Sequence, residues 1–398
     1  MQKNIAKFHK LSYDNLYQIL EYLLVIDGAL ISRSNKEIYN VWKFLEKNRW
    51  DILEKTDPIS NFIKNYIGKD VSYSFALYHF FEYQDQEVLL MGGQNGSLFT
   101  EKVDKMIIKK NGTICFTDST PMLDAFINNS TIYHKGEIIS IGTKKYRDES
   151  ESIEIFDTLK QKRTLLKMKS PENFYRSTIA IFDDKIFIIG GVRYNNNGIP
   201  IFSKLIHQLN GDSRETWQAY GTKLIIGRYS ASSIEFQGKL YICGGVSEHN
   251  RLSSVEVFNP LDGTIETDGN MIKSRINFSL FIYDNEIYAV AGDMAGCDIT
   301  IEKRDNFTKQ WKLITVLKGC RYGCGSAIID SKIFLFGGTD SRGIGGKNNK
   351  ITYDFYDLKT KLWASQDENS LYFDESSRML PREMFNSKAV LCTHLYVK

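Results

Sequence analysis

The sequence predicts an all-β six-bladed propeller preceded by a small α-helical domain, and three observations predict it. A short apolar run ending in glycine recurs six times at a spacing near 50 residues. Runs of β-branched and aromatic residues dominate the chain after about residue 85, bounded by turn residues. Apolar residues at three- and four-residue steps are concentrated before that point. The expected division is therefore a helical domain over residues 1–84 and a propeller over 85–398.

The helical reading rests on Leu11, Leu16, Ile19, Leu20, Leu23 and Leu24, which share one face of a helix that Ser12 is placed to cap and Gly28 interrupts. A second amphipathic stretch follows Ser34 through Ile38, Tyr39, Val41, Trp42, Phe44 and Leu45. Pro58 separates it from a third around 59–67.

The repeat is carried by Glu87–Gly93, Glu137–Thr143, Lys185–Gly191, Lys239–Gly245, Glu286–Gly292 and Lys332–Gly338. Their ends fall at 93, 143, 191, 245, 292 and 338, in steps of 50, 48, 54, 47 and 46. One strand ending in two glycines at this period marks one four-stranded blade. An apolar strand precedes each glycine pair, opening at Arg228, Arg275 and Arg321, each 17 residues before its last glycine; Arg176 is offset by two. A third strand ends in acidic or turn residues, as at Asp157, Asn259 and Asp357, and a fourth carries Trp217, Trp311 or Trp363. The second repeat lacks both the second glycine and the tryptophan. A propeller that does not close leaves exposed sheet edges. The tail, 385–397, is expected to pair beside 87–93 and complete the first blade.

Composition excludes several classes of function. The 398 residues carry 51 basic and 48 acidic side chains, a net +3, which sets up no field for nucleic acid or anionic lipid. No run has the length of a transmembrane helix, and the first ten residues lack the apolar core of a signal peptide, so a cytoplasmic location is expected. Cys115, Cys243, Cys297, Cys320, Cys324 and Cys392 are scattered in strand-like settings and read as reduced, buried thiols. The pair Cys320 and Cys324 has no partner pair to complete a zinc site. No metal or other cofactor is expected.

The glycine-pair repeats resemble those of kelch propellers. The stretch Phe8–Leu20, then Leu30–Ser32, then Lys36–Trp42, resembles the start of a BACK domain. Together they resemble the C-terminal part of the BTB–BACK–kelch (kelch-like) family, whose members serve as substrate adaptors of cullin-based ubiquitin ligases. The resemblance implies a protein partner gripped by one face of the propeller. These residues contain no BTB domain, so it also implies substrate binding without the usual cullin contact. The Asn-, Lys-, Ile- and Tyr-rich composition looks like that of kelch proteins of large DNA viruses, particularly poxviruses, which act on host proteins.

By the family geometry, the binding face is built by loops after the glycine pairs and by those leading into the repeat arginines. The expected partner-binding residues are Arg193, Tyr194, Arg228, Tyr229, Arg251, Arg275, Arg321, Tyr322 and Arg342. Arg251 lies in a segment that matches one contacting acidic peptides in the family. A ring of guanidinium groups holds carboxylates bidentately, so an acidic peptide segment is the expected ligand. Two contrasting readings are an actin-binding kelch protein and a kelch-propeller enzyme acting on sugars. Against an enzyme, the six histidines, at 9, 79, 134, 207, 249 and 394, form no close pair. The loop 337–348 fails as a phosphate loop because Ser341 and Asn348 stand at required positions.

Overall fold

The β-branched and aromatic runs after residue 85 fold as strands because both their faces find apolar neighbours, so they need not alternate with polar residues. The computed structural model describes residues 86–95, 98–109, 112–134, 136–143, 152–158, 160–166, 175–209, 216–292, 298–319, 321–339, 350–366, 375–382, 384 and 388–392. The helical domain expected over 1–84 and the last tail residues, 393–398, lie outside them.

Six four-stranded antiparallel sheets make the blades of a propeller. From the centre outward, the second blade comprises Ile127–His134, Glu137–Thr143, Ser152–Asp157 and Lys162–Leu165. The third comprises Thr178–Phe182, Lys185–Ile189, Ile206–Leu209 and Trp217–Ala219. The fourth comprises Ser232–Phe236, Lys239–Cys243, Val255–Asn259 and Thr264–Asp268. In the fifth these are Ser279–Tyr283, Glu286–Val290, Ile299–Arg304 and Trp311–Leu317. In the sixth they are Gly325–Ile329, Lys332–Phe336, Tyr353–Asp357 and Leu362–Trp363.

The first blade is assembled from both ends of the propeller. Its inner strand is Lys388–Cys392, paired with Gln86–Met91, outside which lie Val103–Ile108 and Ile114–Asp118. The register sets Leu89 opposite Val390 and Met91 opposite Lys388. The inner strands of the six blades touch one another in an unbroken cycle. Hydroxyls tie some neighbours across the centre: Thr178 Oγ1 lies 2.9 Å from Ser233 Oγ, and Ser326 donates to Ser279 at 2.5 Å.

The cores lie between blades rather than within them. Phe187, Ile189 and Ile206 of the third pack on Leu240, Ile242 and Phe258 of the fourth. Ile139, Ile153 and Ile155 of the second pack on Ile179, Ile186 and Ile188 of the third. The tryptophans of the fourth strands also reach back to the preceding blade: Trp311 Nε1 donates to Gly269 O at 2.9 Å and Trp363 Nε1 to Thr315 Oγ1 at 3.0 Å. The second blade forms a complete sheet despite its degenerate sequence, with a register shift between Ile127 and Ser130.

Candidate interaction face

The glycine pairs of the third, fourth and sixth blades are held by the blade that follows. Gly191 N donates to Arg228 O and Gly245 N to Arg275 O, both at 2.8 Å. Gly190 and Gly244 have φ of 68° and 62°, and a Cβ on either would run into the same carbonyls. Glycine is required there both for its left-handed backbone and for the close approach.

The same arginines turn their side chains inward. Arg228 donates to Gly244 O at 2.9 Å, to Ser254 O at 3.2 Å and to the Glu256 carboxylate. Arg275 repeats the arrangement on Ala291 O, Thr300 O and Glu302. Arg321 does so on Gly337 O at 3.0 Å, Thr352 O at 2.7 Å and Thr352 Oγ1 at 2.9 Å. They are 1 %, 0 % and 9 % exposed. These three sequence-predicted site residues are thus enclosed in a clasp that joins the second and third strands of their own blades, and their guanidinium groups are not displayed on the face. The backbone carbonyls left open where the glycine pair ends a strand demand donors, and a guanidinium supplies several from one side chain.

The clasp survives where the sequence departs from the repeat. In the first blade Met384 occupies the aligned position, its carbonyl accepting from Gly338 N, and Arg382 reaches in instead. Arg382 bonds Gly92 O and Lys102 O, each at 3.1 Å, and Asp104 at 2.6 Å. In the second blade Phe126 stands at the aligned position, and Arg163 from the outermost strand meets Glu154 at 2.5 Å. The Arg163 guanidinium also lies over the Phe156 ring, 4.1 Å from its centroid. Burial pushes the Glu154 carboxyl up, while Arg163 pulls it down; burial has the larger effect.

What remains for a partner is the residue after each arginine position and the one after that. Tyr175, Tyr229 and Tyr322 form bridges with Val192, Val246 and Thr339, the residues just past the glycine pairs. Ile276 takes this place in the fifth blade, its N donating to Gly292 O at 3.1 Å. Next in sequence come Arg176, Ser230, Asn277 and Gly323, all with φ near +50° to +65°. Ser230 N donates to Arg176 O at 2.9 Å, and Asn277 N donates to Ser230 O at 3.2 Å, so these residues follow one another from blade to blade along a rim. Asn277 Nδ2 continues the rim to the Tyr322 hydroxyl at 3.3 Å.

A hairpin of Val192–Tyr194 and Pro200–Phe202 walls the rim over the third and fourth blades. Alternation along it sets Tyr194 against Tyr175, with ring centroids 6.0 Å apart, and Phe202 against Tyr229 at 5.8 Å. The Arg176 guanidinium lies 5.6 Å from the Tyr229 ring centroid. Tyr194 and Arg193 are exposed, as is Arg251, whose backbone forms a bridge with Val246. Burial pushes the Tyr229 phenol up, opposed by Arg176 and Arg251, and Tyr194 and Tyr322 act on it as well. Of the sequence-predicted residues, the structure therefore gathers Tyr194, Tyr229, Arg251 and Tyr322 around one rim, with Arg193 on its hairpin; Arg342 lies outside the described residues. Sequence reasoning missed Tyr175, Arg176 and Asn277 as face residues. The signal was the repeat itself, since the position two after the arginine column recurs in every blade from the third to the sixth.

Among the described residues no group of three or more His, Cys, Asp and Glu side chains stands together as metal ligands, and no helix is long and apolar enough to cross a membrane.

Six four-stranded sheets with buried arginine clasps make a six-bladed propeller, with paired rings walling the rim over the third and fourth blades. Residues 227–264 match the Kelch motif. The chain is similar to human Kelch-like protein 23, at 24 % identity over 231 residues that cover 56 % of this chain and 39 % of the relative. It is also similar to human Kelch-like protein 15, at 25 % over 178 residues, covering 39 % and 27 %. The match thus spans well under half the length of these relatives. Among solved structures, that titled "Structure of YjhT" superposes with a TM-score of 0.53 at 12 % identity, covering 67 % of this chain and 87 % of that one, a likeness of fold. The motif match lies within the fourth blade and its entry loop, and the relatives matched are kelch-like proteins at about a quarter identity.

Proposed function

We propose that the chain is a non-enzymatic protein-interaction module whose rim over the third and fourth blades binds an acidic segment of a protein partner. The observation that carries this reading is the division of labour among arginines. Arg228, Arg275 and Arg321 are consumed by the fold, whereas Arg176, Arg193 and Arg251 stand with Tyr194 and Tyr229 where a partner has access. Guanidinium groups beside aromatic rings bind carboxylates and at the same time offer flat apolar surface, the composition of interaction hot spots.

The resemblance to kelch-like proteins supports a narrower reading: a substrate-binding protein related to cullin ubiquitin-ligase adaptors, cytoplasmic, and in a viral setting directed at host proteins. Affinity purification of the full chain with mass spectrometry, in parallel with Arg251→Glu and Tyr194→Ala, tests it. The expected result is an acidic partner captured by the parent chain and lost from both variants. Identical partner sets from all three proteins would refute the rim as the binding face. Co-purification of a cullin with the parent chain would support the adaptor role, and partners captured reproducibly without one would count against it.

A further inference from the structure

We infer that the rim between the third and fourth blades is a phosphomonoester site, shaped for a phosphotyrosyl side chain of the partner. The inference rests on the reading that this face takes an acidic ligand, and it specifies the acid.

The argument begins with the number and kind of donors. The Arg176 guanidinium lies 5.6 Å from the Tyr229 ring centroid, Arg251 and Tyr229 both form bridges with Val246, and Tyr194 stands on the hairpin whose Phe202 faces Tyr229, so two guanidiniums and two hydroxyls share one neighbourhood. Ser230 adds a third hydroxyl. It is only 7 % exposed, and its Oγ is buried with no hydrogen-bond partner in the protein. Its backbone lies between Arg176 and Asn277 on the rim. A buried hydroxyl without a partner carries a desolvation cost that a ligand oxygen, or a water bound with it, removes. A carboxylate has two oxygens in a plane and one charge. A phosphomonoester has three terminal oxygens and up to two charges, which suits donors arriving from several directions.

The rings specify what carries the phosphoryl group. Tyr229 is flanked by Phe202 and by the Arg176 guanidinium, and Tyr194 stacks on Tyr175 a short distance away. Tyr194 presents 41 % of its surface. An aryl phosphate lays its ring along such walls while its phosphoryl group meets the guanidiniums; an alkyl phosphate uses only the second half of the site. The phenols keep their protons at neutral pH, as ordinary phenols do, and burial moves Tyr175 and Tyr229 further in that direction. They therefore act as donors and do not repel the anion.

The test is calorimetric titration of the full chain with four probes: N-acetyl-phosphotyrosine amide, N-acetyl-phosphoserine amide, N-acetyl-glutamate amide and inorganic phosphate. The phosphotyrosine probe is expected to bind at least about tenfold more tightly than each of the others. Arg176→Met and Arg251→Met should each weaken it about tenfold with unchanged melting, and Arg176→Lys should fall between parent and Arg176→Met. Equal affinity for the phosphotyrosine and glutamate probes would overturn the inference and leave the acidic-partner reading standing. Equal affinity for phosphotyrosine and phosphoserine, or tightest binding of inorganic phosphate, would also overturn it. Absence of binding by every probe, together with unchanged partner capture by the rim variants, would remove both.

Discussion

Arg275 and Glu302 meet inside the fifth blade at 2.7 Å with both side chains wholly enclosed. Two backbone groups bond the carboxylate as well, Ile272 N donating to Oε2 at 2.7 Å and Lys273 N to Oε1 at 2.9 Å. Glu256 receives Ile225 N and Ile226 N in the same way in the fourth blade. One buried acid thus ties the third strand of a blade to the loop that enters its first strand, with the arginine closing the triangle.

Removing one member of such a pair strands a charge away from water. Arg275→Met is therefore expected to destabilise the propeller by about 3–5 kcal/mol, read from urea denaturation midpoints. The double variant Arg275→Met, Glu302→Met should recover a large part of that loss, because the stranded carboxylate is gone. A double variant that is no more stable than Arg275→Met alone would show that the cost lies in lost packing and not in the stranded charge.

The period of the glycine pairs was legible because it has a steric cause: a strand ends where the next blade's carbonyl comes too close for a Cβ. The tryptophans of the fourth strands were legible for a similar reason, being among the few side chains that span from one blade to its neighbour. The roles of the repeat arginines were not legible. A guanidinium at a strand end looks alike in sequence whether it bonds Gly244 O and Glu256, as Arg228 does, or a partner. The decisive neighbour, an acid in the third strand, is 27 or 28 positions away. In the third blade that acid is replaced by His207, which is buried at the equivalent register. The rim positions follow the repeat, but the rings that wall them depend on the hairpin over 192–202, an insertion that no repeat rule describes.

The glycines offer a paired test. Gly244 and Gly198 both have positive φ, but a Cβ at Gly244 would stand 2.7 Å from Arg275 O, whereas at Gly198 nothing lies within 4 Å. Gly198→Ala should cost only the left-handed backbone preference, about 1 kcal/mol. Gly244→Ala should cost at least about twice that, since the next blade must move away from its inter-blade hydrogen bond. Equal melting shifts for the two would mean that the close approach at Gly244 is readily relaxed.

Cys243 is fully buried in the second strand of the fourth blade, and burial pushes its thiol up to about 12. At about pH 8 it should resist iodoacetamide in the folded protein while the half-buried Cys115 and Cys324 are labelled first, as peptide mass spectrometry would report. The linkage follows from the direction of the shift. A folded-state value above the unfolded one contributes stability that is complete below the unfolded thiol range, near 9, and is lost as pH rises toward 12. The stability of the parent relative to Cys243→Ala should therefore decline above about pH 9. A constant difference across that range would contradict the burial of the thiol.

The closing strand sets the last expectation. Residues 388–392 hydrogen-bond to Gln86–Met91, and the inner strands on either side of this one belong to the second and sixth blades. Arg382, just upstream, clasps Gly92 O, Lys102 O and Asp104. A chain ending at Glu383 retains the clasp residue but loses the strand, so the edge of Gln86–Met91 and the apolar cluster that Val390 covers both open to water. Such a chain should aggregate on gel filtration and melt at lower temperature with a broadened transition. Replacing Ala389 with proline in the full chain should act in the same direction but more weakly, by straining the strand. If the shortened chain instead stayed monomeric and melted as sharply as the parent, the ring would be held by its inter-blade cores alone, and the pairing of 388–392 would contribute nothing to its cooperativity.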